Sequence, residues 1–136
     1  MVDHLGCTSR RQCRDDSSRF NRMEADLHNL FPARSGTNRA RSTLPFGEVN
    51  KEPREFGLGC DFEIDTDADR VEPPAEARGV VARAIFYMHE EYGLPIEPGM
   101  LVTLKTWNIE NPPGAWERWR NGAIETLQNT RNPFID

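Results

Sequence analysis

The string DLHNLFP at residues 26–32 concentrates the side chains that could do chemistry. Hard divalent cations such as Mg²⁺ prefer oxygen ligands and keep several waters, so one side-chain amide oxygen is a useful ligand. Asn29 is therefore a candidate metal ligand. The alternative is structural, since His28 and Asn29 could simply hydrogen-bond the end of a helix.

The first third of the chain is basic although the whole chain carries a net charge of −5. Residues 1–41 hold eight arginines, no lysine and five acidic residues, whereas the remainder holds nine basic and seventeen acidic residues. Guanidinium groups bind phosphates through two parallel hydrogen bonds, which favours a nucleic-acid partner. A solvated basic loop is the alternative.

Hydrophobic spacing predicts one α+β domain over residues 1–136, mostly helical with a small β-sheet. Residues 33–60 are rich in Gly, Pro, Asn and Arg and are typical of a long functional loop. The other predicted elements are a loop-like segment over 1–18, a strand over 60–65, helices over 19–30, 75–92 and 98–108, and a further helix from Pro112. Ser17 or Ser18 would cap the helix over 19–30.

Three tryptophans lie at helical packing positions. Trp107 belongs to the 98–108 helix, and the last helix carries Trp116, Trp119 or Arg120, Ala123 and Leu127 along one face. A stripe of this kind predicts burial against the core. The alternative is that the tryptophans stack on nucleic-acid bases.

The three cysteines leave their pairing open. Cys7 and Cys13 could close a short loop, or one of them could bridge to Cys60 and leave an odd thiol. A zinc site from the cysteines with His4 or His28 is a further alternative, although the spacing matches no usual ligand pattern. No segment approaches the roughly 18 apolar residues that span a bilayer, so we expect no membrane partner.

Four separated blocks carry a resemblance to a known family. MEADLHNLFPA, NRARSTLPFGEV, EPPAEARGVVARAIFYM and AWERWRNGAIETLQNTRNPFID occur in this order. From about Arg11 to Asp136 the chain resembles the bacterial endonuclease I family. The resemblance implies a ββα-metal nuclease core, in which a strand-borne His activates water while a neighbouring Glu and an Asn hold Mg²⁺.

Carried over residue by residue, the resemblance implies roles for several side chains. Asn29 would be the metal ligand for Mg²⁺ or another divalent cation, and Asn38 would order the Arg-rich loop. The proposed phosphate contacts are Arg41 and Arg131, with Arg14 or Arg19 as a third.

The family also carries a Glu-His-x-x-Pro block, and we expect this block to be missing here, where the chain opens with MVDHLGC. The alternative is that Asp3 and His4 serve as metal ligand and catalytic base. The resemblance predicts a monomeric, secreted or periplasmic endonuclease without its signal peptide, which cleaves DNA with weak sequence specificity; RNA is left open. The competing hypotheses are an inactive nuclease scaffold that binds nucleic acid without cleaving it, and a small disulfide-bearing interaction module.

Overall fold

The computed structural model describes residues 2–50 and 54–136. Residues 51–53 of the predicted 33–60 loop, and Met1 of the predicted 1–18 segment, lie outside the described residues. Within the described ranges, no helix combines the length and apolar character needed to cross a bilayer. The elements are α1 (Arg10–Asp16), α2 (Ser18–Ala25), α3 (Ser35–Arg41), β1 (Glu63–Asp65), β2 (Arg70–Glu72), α4 (Ala75–Tyr92), α5 (Pro98–Glu110) and α6 (Ala115–Gln128), with 3-10 turns at Asp3–Leu5, Leu27–Asn29 and Pro133–Ile135. The predicted α+β, mostly helical fold with a small sheet is confirmed.

Helix α4 is the central element and has the predicted bounds. It ends because Gly93 adopts a left-handed φ of 64° and donates its N–H to the carbonyl of His89 at 2.8 Å. Near its start, a Cβ at Gly79 would lie 2.3 Å from the carbonyl oxygen of Asn111. Glycine at this position therefore lets α4 approach the end of α5 closely.

Two apolar clusters lie on different faces of α4. The first joins α4 to α5, and the second joins α4 to α2. The predicted burial of Trp107 is confirmed, since this side chain is 0% exposed. The buried members are Ala82, Phe86, Leu104 and Trp107 in the first cluster, and Met23, Tyr87 and Met88 in the second.

Helix α6 buries its polar face, which overturns the predicted burial of its aromatic stripe. Trp116 and Trp119 are 56% and 70% exposed, and Leu127 is 74% exposed. The buried side chains of α6 are those of Glu117, Asn121 and Ile124. Apolar spacing alone was misleading because hydrogen bonds and an ion pair, rather than an apolar stripe, bind this helix to its neighbours.

A buried ion pair joins α4 to α6. The Nε and Nη2 atoms of Arg83 donate to the two carboxylate oxygens of Glu117 at 2.7 and 2.6 Å. The Nη1 atom of Arg83 donates to Asn108 Oδ1 at 2.9 Å and to the carbonyl of Asn111 at 2.8 Å, both at the end of α5. One guanidinium therefore ties three helices together, with its charge and most of its donors matched.

The C-terminal segment docks on α6 through two amides. Asn121 Nδ2 donates to the carbonyl of Asn132 at 3.0 Å, and the Asn132 N–H donates back to Asn121 Oδ1 at 2.9 Å. Asn132 Nδ2 also donates to the carbonyl of Arg83 at 3.1 Å. These bonds explain why Asn121 faces the interior, and they extend the polar interior of the protein from α6 to α4.

The helix predicted over 19–30 is shorter in the structure. Of the two predicted caps it is Ser17 that caps α2, by accepting the N–H of Phe20 at 3.1 Å. The helix ends at Ala25 because Asp26 takes an extended ψ of 120° and its carboxylate accepts the N–H of His28 at 2.8 Å. Residues 27–29 then form a separate 3-10 turn, because a local side-chain bond has replaced the helical one.

Two segments predicted as loops contain short helices. Within 1–18, Ser9 caps α1, which buries Cys13, and a Cys7–Cys13 disulfide settles the cysteine pairing that the sequence left open. Cys60 is a free cysteine.

Within 33–60, α3 spans Ser35–Arg41 and buries none of its residues. Short helices that bury so little carry no hydrophobic period, so periodicity could not reveal them.

The predicted strand over 60–65 is reduced to β1. It pairs antiparallel with β2, with Ile64 opposite Val71. Phe46 adds a parallel bridge to Val71, which is fully buried. Asp65 closes the acidic turn between the strands by accepting the N–H groups of Asp67 and Ala68 at 3.0 and 2.9 Å.

Removing one partner of the buried pair should cost far more than removing an exposed one. We expect Glu117→Ala to lower the free energy of unfolding by about 3–5 kcal/mol, because it leaves the charge of Arg83 buried without an anion. Glu125→Ala is the control, since Glu125 pairs with Arg131 in an exposed position and should cost about 1 kcal/mol or less. Urea unfolding measures both, and equal losses would contradict the prediction.

Candidate functional site

The turn that carries Asn29 is built around the carboxylate of Asp26, which is 4% exposed. Asp26 receives four hydrogen bonds and no ion pair within the described residues. Because the donors come from its own turn, from α4 and from α6, one carboxylate fixes three segments. The donors are His28 N at 2.8 Å, Tyr87 Oη at 2.9 Å, Tyr92 Oη at 2.7 Å and Gln128 Nε2 at 2.9 Å.

These bonds keep Asp26 ionised. Burial acts to raise its pKa, but the hydrogen bonds from Gln128, Tyr92, His28 N and Tyr87 outweigh it, and the pKa of Asp26 lies below its ordinary value. Burial and the same carboxylate raise the pKa of Tyr87 to about 12 and that of Tyr92 further, so both hydroxyls remain donors. With its oxygens occupied, Asp26 supports the turn and is not free to hold a cation.

Helix α6 holds the other side of the same turn. Gln128 Oε1 accepts the N–H of Leu27 at 3.1 Å. Arg120 donates to the carbonyl of Leu30 at 2.7 Å and to the carbonyl of Leu27. Since each carbonyl belongs to the turn or its end, the backbone on both sides of Asn29 is fixed.

His28 is 1% exposed and points into the protein. Its Nε2 lies 3.2 Å from the carbonyl of Thr130, so this nitrogen carries the proton and donates. The ring centroid lies 4.5 Å from that of Tyr87, and burial lowers the pKa of His28. A neutral imidazole packed in this way connects the turn to the segment that follows α6, which is a structural role.

Asn29 differs from its neighbours because its amide is available. No hydrogen bond within the described part of the chain involves its side chain, which is half-buried. Asn29 lines a cavity of about 140 Å³ with mainly apolar residues, among them Met88 and Leu94. These apolar neighbours offer the amide no hydrogen-bonding partner, so its oxygen is available to a partner from outside the described residues.

The described residues do not assemble a complete set of metal ligands. No group of three His, Cys, Asp or Glu side chains within residues 2–50 and 54–136 could hold an ion. Asp3 and His4 are exposed on their 3-10 turn, whereas Leu5 packs against the cluster that contains Met88. The Asp3–Leu5 turn and Asn29 therefore both adjoin that cluster, and the strand-borne His of the family is not found among the described residues.

Three of the four predicted phosphate-binding arginines already have partners. Arg14 Nε donates to Glu24 Oε2 at 2.6 Å, and Arg19 Nη2 donates to the carbonyl of Tyr92 at 2.6 Å. Arg131 pairs with Glu125 at 2.7 Å and with Asp136 at 2.6 Å. These three side chains would have to exchange a protein partner for a phosphate.

Arg41 is the exception. Its guanidinium carbon lies 4.4 Å from the ring centroid of Phe46, and its Nε has no hydrogen-bond partner among the described residues. Burial lowers the pKa of Arg41, and no carboxylate within the described ranges offsets that effect. Asn38 is exposed one helical turn earlier on α3. A half-buried cation without an anion is well suited to receive a phosphate.

Sequence reasoning missed the residues that support the turn. Tyr87, Tyr92 and Gln128 act on Asp26 across 61 to 102 positions, and nothing in local spacing reports such contacts. Arg120 belongs to the face of α6 that was predicted to be buried. Its four-residue separation from Trp116 could have indicated a contact between the two side chains, since the Arg120 guanidinium carbon lies 5.9 Å from the Trp116 ring centroid.

Replacing Asp26 tests the support of the turn. We expect Asp26→Asn to lower the free energy of unfolding by about 1–3 kcal/mol, because an amide NH₂ would face donors that need a charged acceptor. Asp15→Asn is the matched control on the exposed surface of α1 and should change stability by less than about 0.5 kcal/mol. Chemical denaturation measures both, and a neutral effect of Asp26→Asn would show that the hydrogen bonds do not stabilise the fold.

Comparison with known proteins places the chain in one family. The Endonuclease I family profile matches residues 7–136. The chain is 40% identical over 121 residues to a periplasmic deoxyribonuclease of Aeromonas hydrophila, covering 88% of this chain and 51% of that protein. It is 32% identical over 126 residues to endonuclease-1 of Buchnera aphidicola subsp. Acyrthosiphon pisum (strain APS), covering 93% and 50%.

A third relative has a different named substrate. The chain is 33% identical over 133 residues to an extracellular ribonuclease of Bacillus amyloliquefaciens, covering 82% of this chain and 43% of that protein. The chain spans about half the length of the curated relatives it matches. The match to the family nevertheless extends over nearly the whole chain, and the chain belongs to the endonuclease I family.

Proposed function

We propose that this chain takes part in the divalent-cation-dependent hydrolysis of DNA phosphodiester bonds by an endonuclease. The observation that carries the proposal is the amide of Asn29, which has no hydrogen-bond partner among residues 2–50 and 54–136 and lies on a turn whose backbone is fixed from α4 and α6. Preorganisation of this kind is what a metal ligand needs, because a fixed ligand loses little freedom on binding. Membership of the endonuclease I family gives the reaction class.

Asn29 would hold Mg²⁺ or another divalent cation through its amide oxygen. When bound, such a cation stabilises negative charge on the phosphate as a Lewis acid. Further ligands must come from beyond the fixed turn, since Asp26 is fully occupied. We propose Asp3 as a second ligand and His4 as the general base, because their turn adjoins the same cluster as Asn29.

Arg41 is our choice for the residue that binds the substrate phosphate. Its guanidinium lies against Phe46 and lacks an anion within the described chain, so a phosphate would supply the missing charge. Asn38, on the same helix, would order this segment around the nucleic acid. Arg14, Arg19 and Arg131 remain proposed secondary contacts, each of which must first leave a protein acceptor.

The relatives support DNA as the substrate and a location outside the cytoplasm. Two of the relatives reported above are named a deoxyribonuclease and an endonuclease, whereas the ribonuclease relative supports RNA as a second substrate. One relative is named periplasmic and another extracellular. The Cys7–Cys13 disulfide agrees with an oxidising compartment, and we propose a monomeric protein secreted or held in the periplasm.

Loss of the Asn29 amide should abolish cleavage and leave the fold intact. We expect Asn29→Ala to lower the Mg²⁺-dependent rate of plasmid nicking by orders of magnitude, because it removes the fixed metal ligand. Asn50→Ala is the matched control, since Asn50 is an exposed asparagine outside the site. Full activity of Asn29→Ala would overturn the proposed ligand.

The same nicking assay, with EDTA as the metal-free blank, tests whether His4 is the general base. Loss of nicking in His4→Ala would support His4 as the base, whereas unchanged nicking would assign the base to another residue. Binding of DNA without metal-dependent cleavage by the unaltered chain would instead identify an inactive scaffold.

Replacing Arg41 and replacing the secondary contact Arg131 should change the salt dependence of DNA binding by different amounts. We expect Arg41→Met to reduce the slope of log affinity against log salt by about 1, because the residue releases counterions when it meets a phosphate. Arg131→Met should change the slope less, since Glu125 and Asp136 already neutralise Arg131. Duplex binding in EDTA over a series of salt concentrations measures both slopes. A larger change for Arg131→Met would reverse the assignment.

A further inference from the structure

An exposed aromatic surface lies beside the turn that carries Asn29. We call it the aromatic strip and define it as Phe31, Trp116, Trp119 and Arg120. The exposed fractions are 38% for Phe31, 56% for Trp116 and 70% for Trp119. Large aromatic side chains at this exposure are unusual for a surface without a ligand, because each leaves apolar area in water.

Arg120 organises the strip and connects it to the proposed site. Its guanidinium carbon lies 4.4 Å from the ring centroid of Phe31 and 5.9 Å from that of Trp116. The same guanidinium donates to the carbonyl of Leu30, directly after the Leu27–Asn29 turn. The strip is therefore continuous with the backbone that presents Asn29.

The charges around the strip favour an anionic partner. The two acidic residues of α6 face elsewhere: Glu117 is buried against Arg83, and Glu125 pairs with Arg131. Burial lowers the pKa of Arg120, while the carboxylate of Glu117 acts to raise it. Although the chain is acidic overall, this surface presents aromatic rings with the cation of Arg120, and both acids of α6 are paired with other arginines.

We infer that the aromatic strip binds single-stranded nucleic acid by stacking its unpaired bases on Trp116, Trp119 and Phe31. Arg120 would face a phosphate of the same strand. Unpaired bases expose their faces to such rings, whereas the bases of a duplex are already stacked on one another. The inference rests on the proposed function, because it specifies a class of substrate for the same site. The alternative occupant is an apolar protein surface, which the charge of Arg120 and the pairing of Glu117 and Glu125 with other arginines disfavour.

Binding measured in EDTA tests the strip independently of cleavage. The probes are a fluorescein-labelled oligothymidylate of about ten nucleotides and a labelled duplex of the same length, both followed by anisotropy. We expect Trp119→Ala and Trp116→Ala each to weaken binding of the single strand about fivefold or more. Duplex affinity should stay near that of the unaltered protein, because the phosphate contacts remain.

Two controls separate stacking from other effects. Trp119→Phe keeps a ring and should recover most of the affinity for the single strand. Ile109→Ala removes an apolar side chain on α5 that is 79% exposed, and it should leave the affinity unchanged. Because both tryptophans are exposed, the fold should survive their replacement, as urea unfolding can verify.

The outcomes divide clearly. Unchanged single-strand affinity in both tryptophan variants, or an equal loss for single strand and duplex, would overturn the inference. A change in oligomeric state by sedimentation, without a change in single-strand affinity, would identify the strip as a protein-docking surface and overturn it as well. If metal-dependent cleavage persists in these cases, the proposed function stands. If the unaltered chain shows no metal-dependent cleavage while the strip binds single strands, the proposed function alone fails.

Discussion

The ionised carboxylate of Asp26 is the interaction on which the rest of the structure depends. A buried charge is costly unless it is fully hydrogen-bonded, and here four donors at 2.7 to 2.9 Å meet that demand. Because the donors come from α4, α6 and the turn itself, solvating this one charge requires all three segments to be in place. The same bond to His28 N ends α2 and creates the turn that presents Asn29. The need to hydrogen-bond the Asp26 carboxylate thus determines where α2 ends, how α4 and α6 pack and where Asn29 lies.

Arg83 is a second buried charge whose cost of burial is offset by an ion pair and hydrogen bonds. Arg83 is 2% exposed and finds both oxygens of Glu117, along with acceptors at the end of α5. The polar face of α6 is turned inward by this pair and by the amide bonds of Asn121. Its aromatic face is consequently turned outward. The exposed strip therefore follows from the hydrogen bonding of the buried polar groups. A helix that turns Glu117 and Asn121 toward the interior leaves Trp116 and Trp119 on its opposite, solvent-exposed face.

The pairing of cations matters more here than their number. A net charge of −5 argues against nucleic-acid binding, and the arginines of the first third argue for it. In the folded protein three of the four candidate phosphate ligands, Arg14, Arg19 and Arg131, are neutralised by an acid or bonded to a carbonyl. Arg41 differs from these three because it forms no ion pair with a carboxylate within the described chain. Local charge that is left unpaired, rather than overall composition, is what an anionic polymer would meet.

The sequence by itself determined the family, the mostly helical α+β class, the bounds of α4, a serine cap at position 17 or 18 and the burial of Trp107. Each of these depends on spacing, capping or linear similarity, all of which act within a few residues or along one aligned string. The tertiary structure decided which face of α6 is buried, where α2 ends, which cysteines pair and which of the candidate arginines have an acidic partner among the described residues. It also revealed that Tyr87, Tyr92 and Gln128 support the Asn29 turn. These features depend on polar partners up to 102 positions apart. Hydrophobic periodicity reports where apolar atoms avoid water, but it carries no information about which distant donor will satisfy a buried charge.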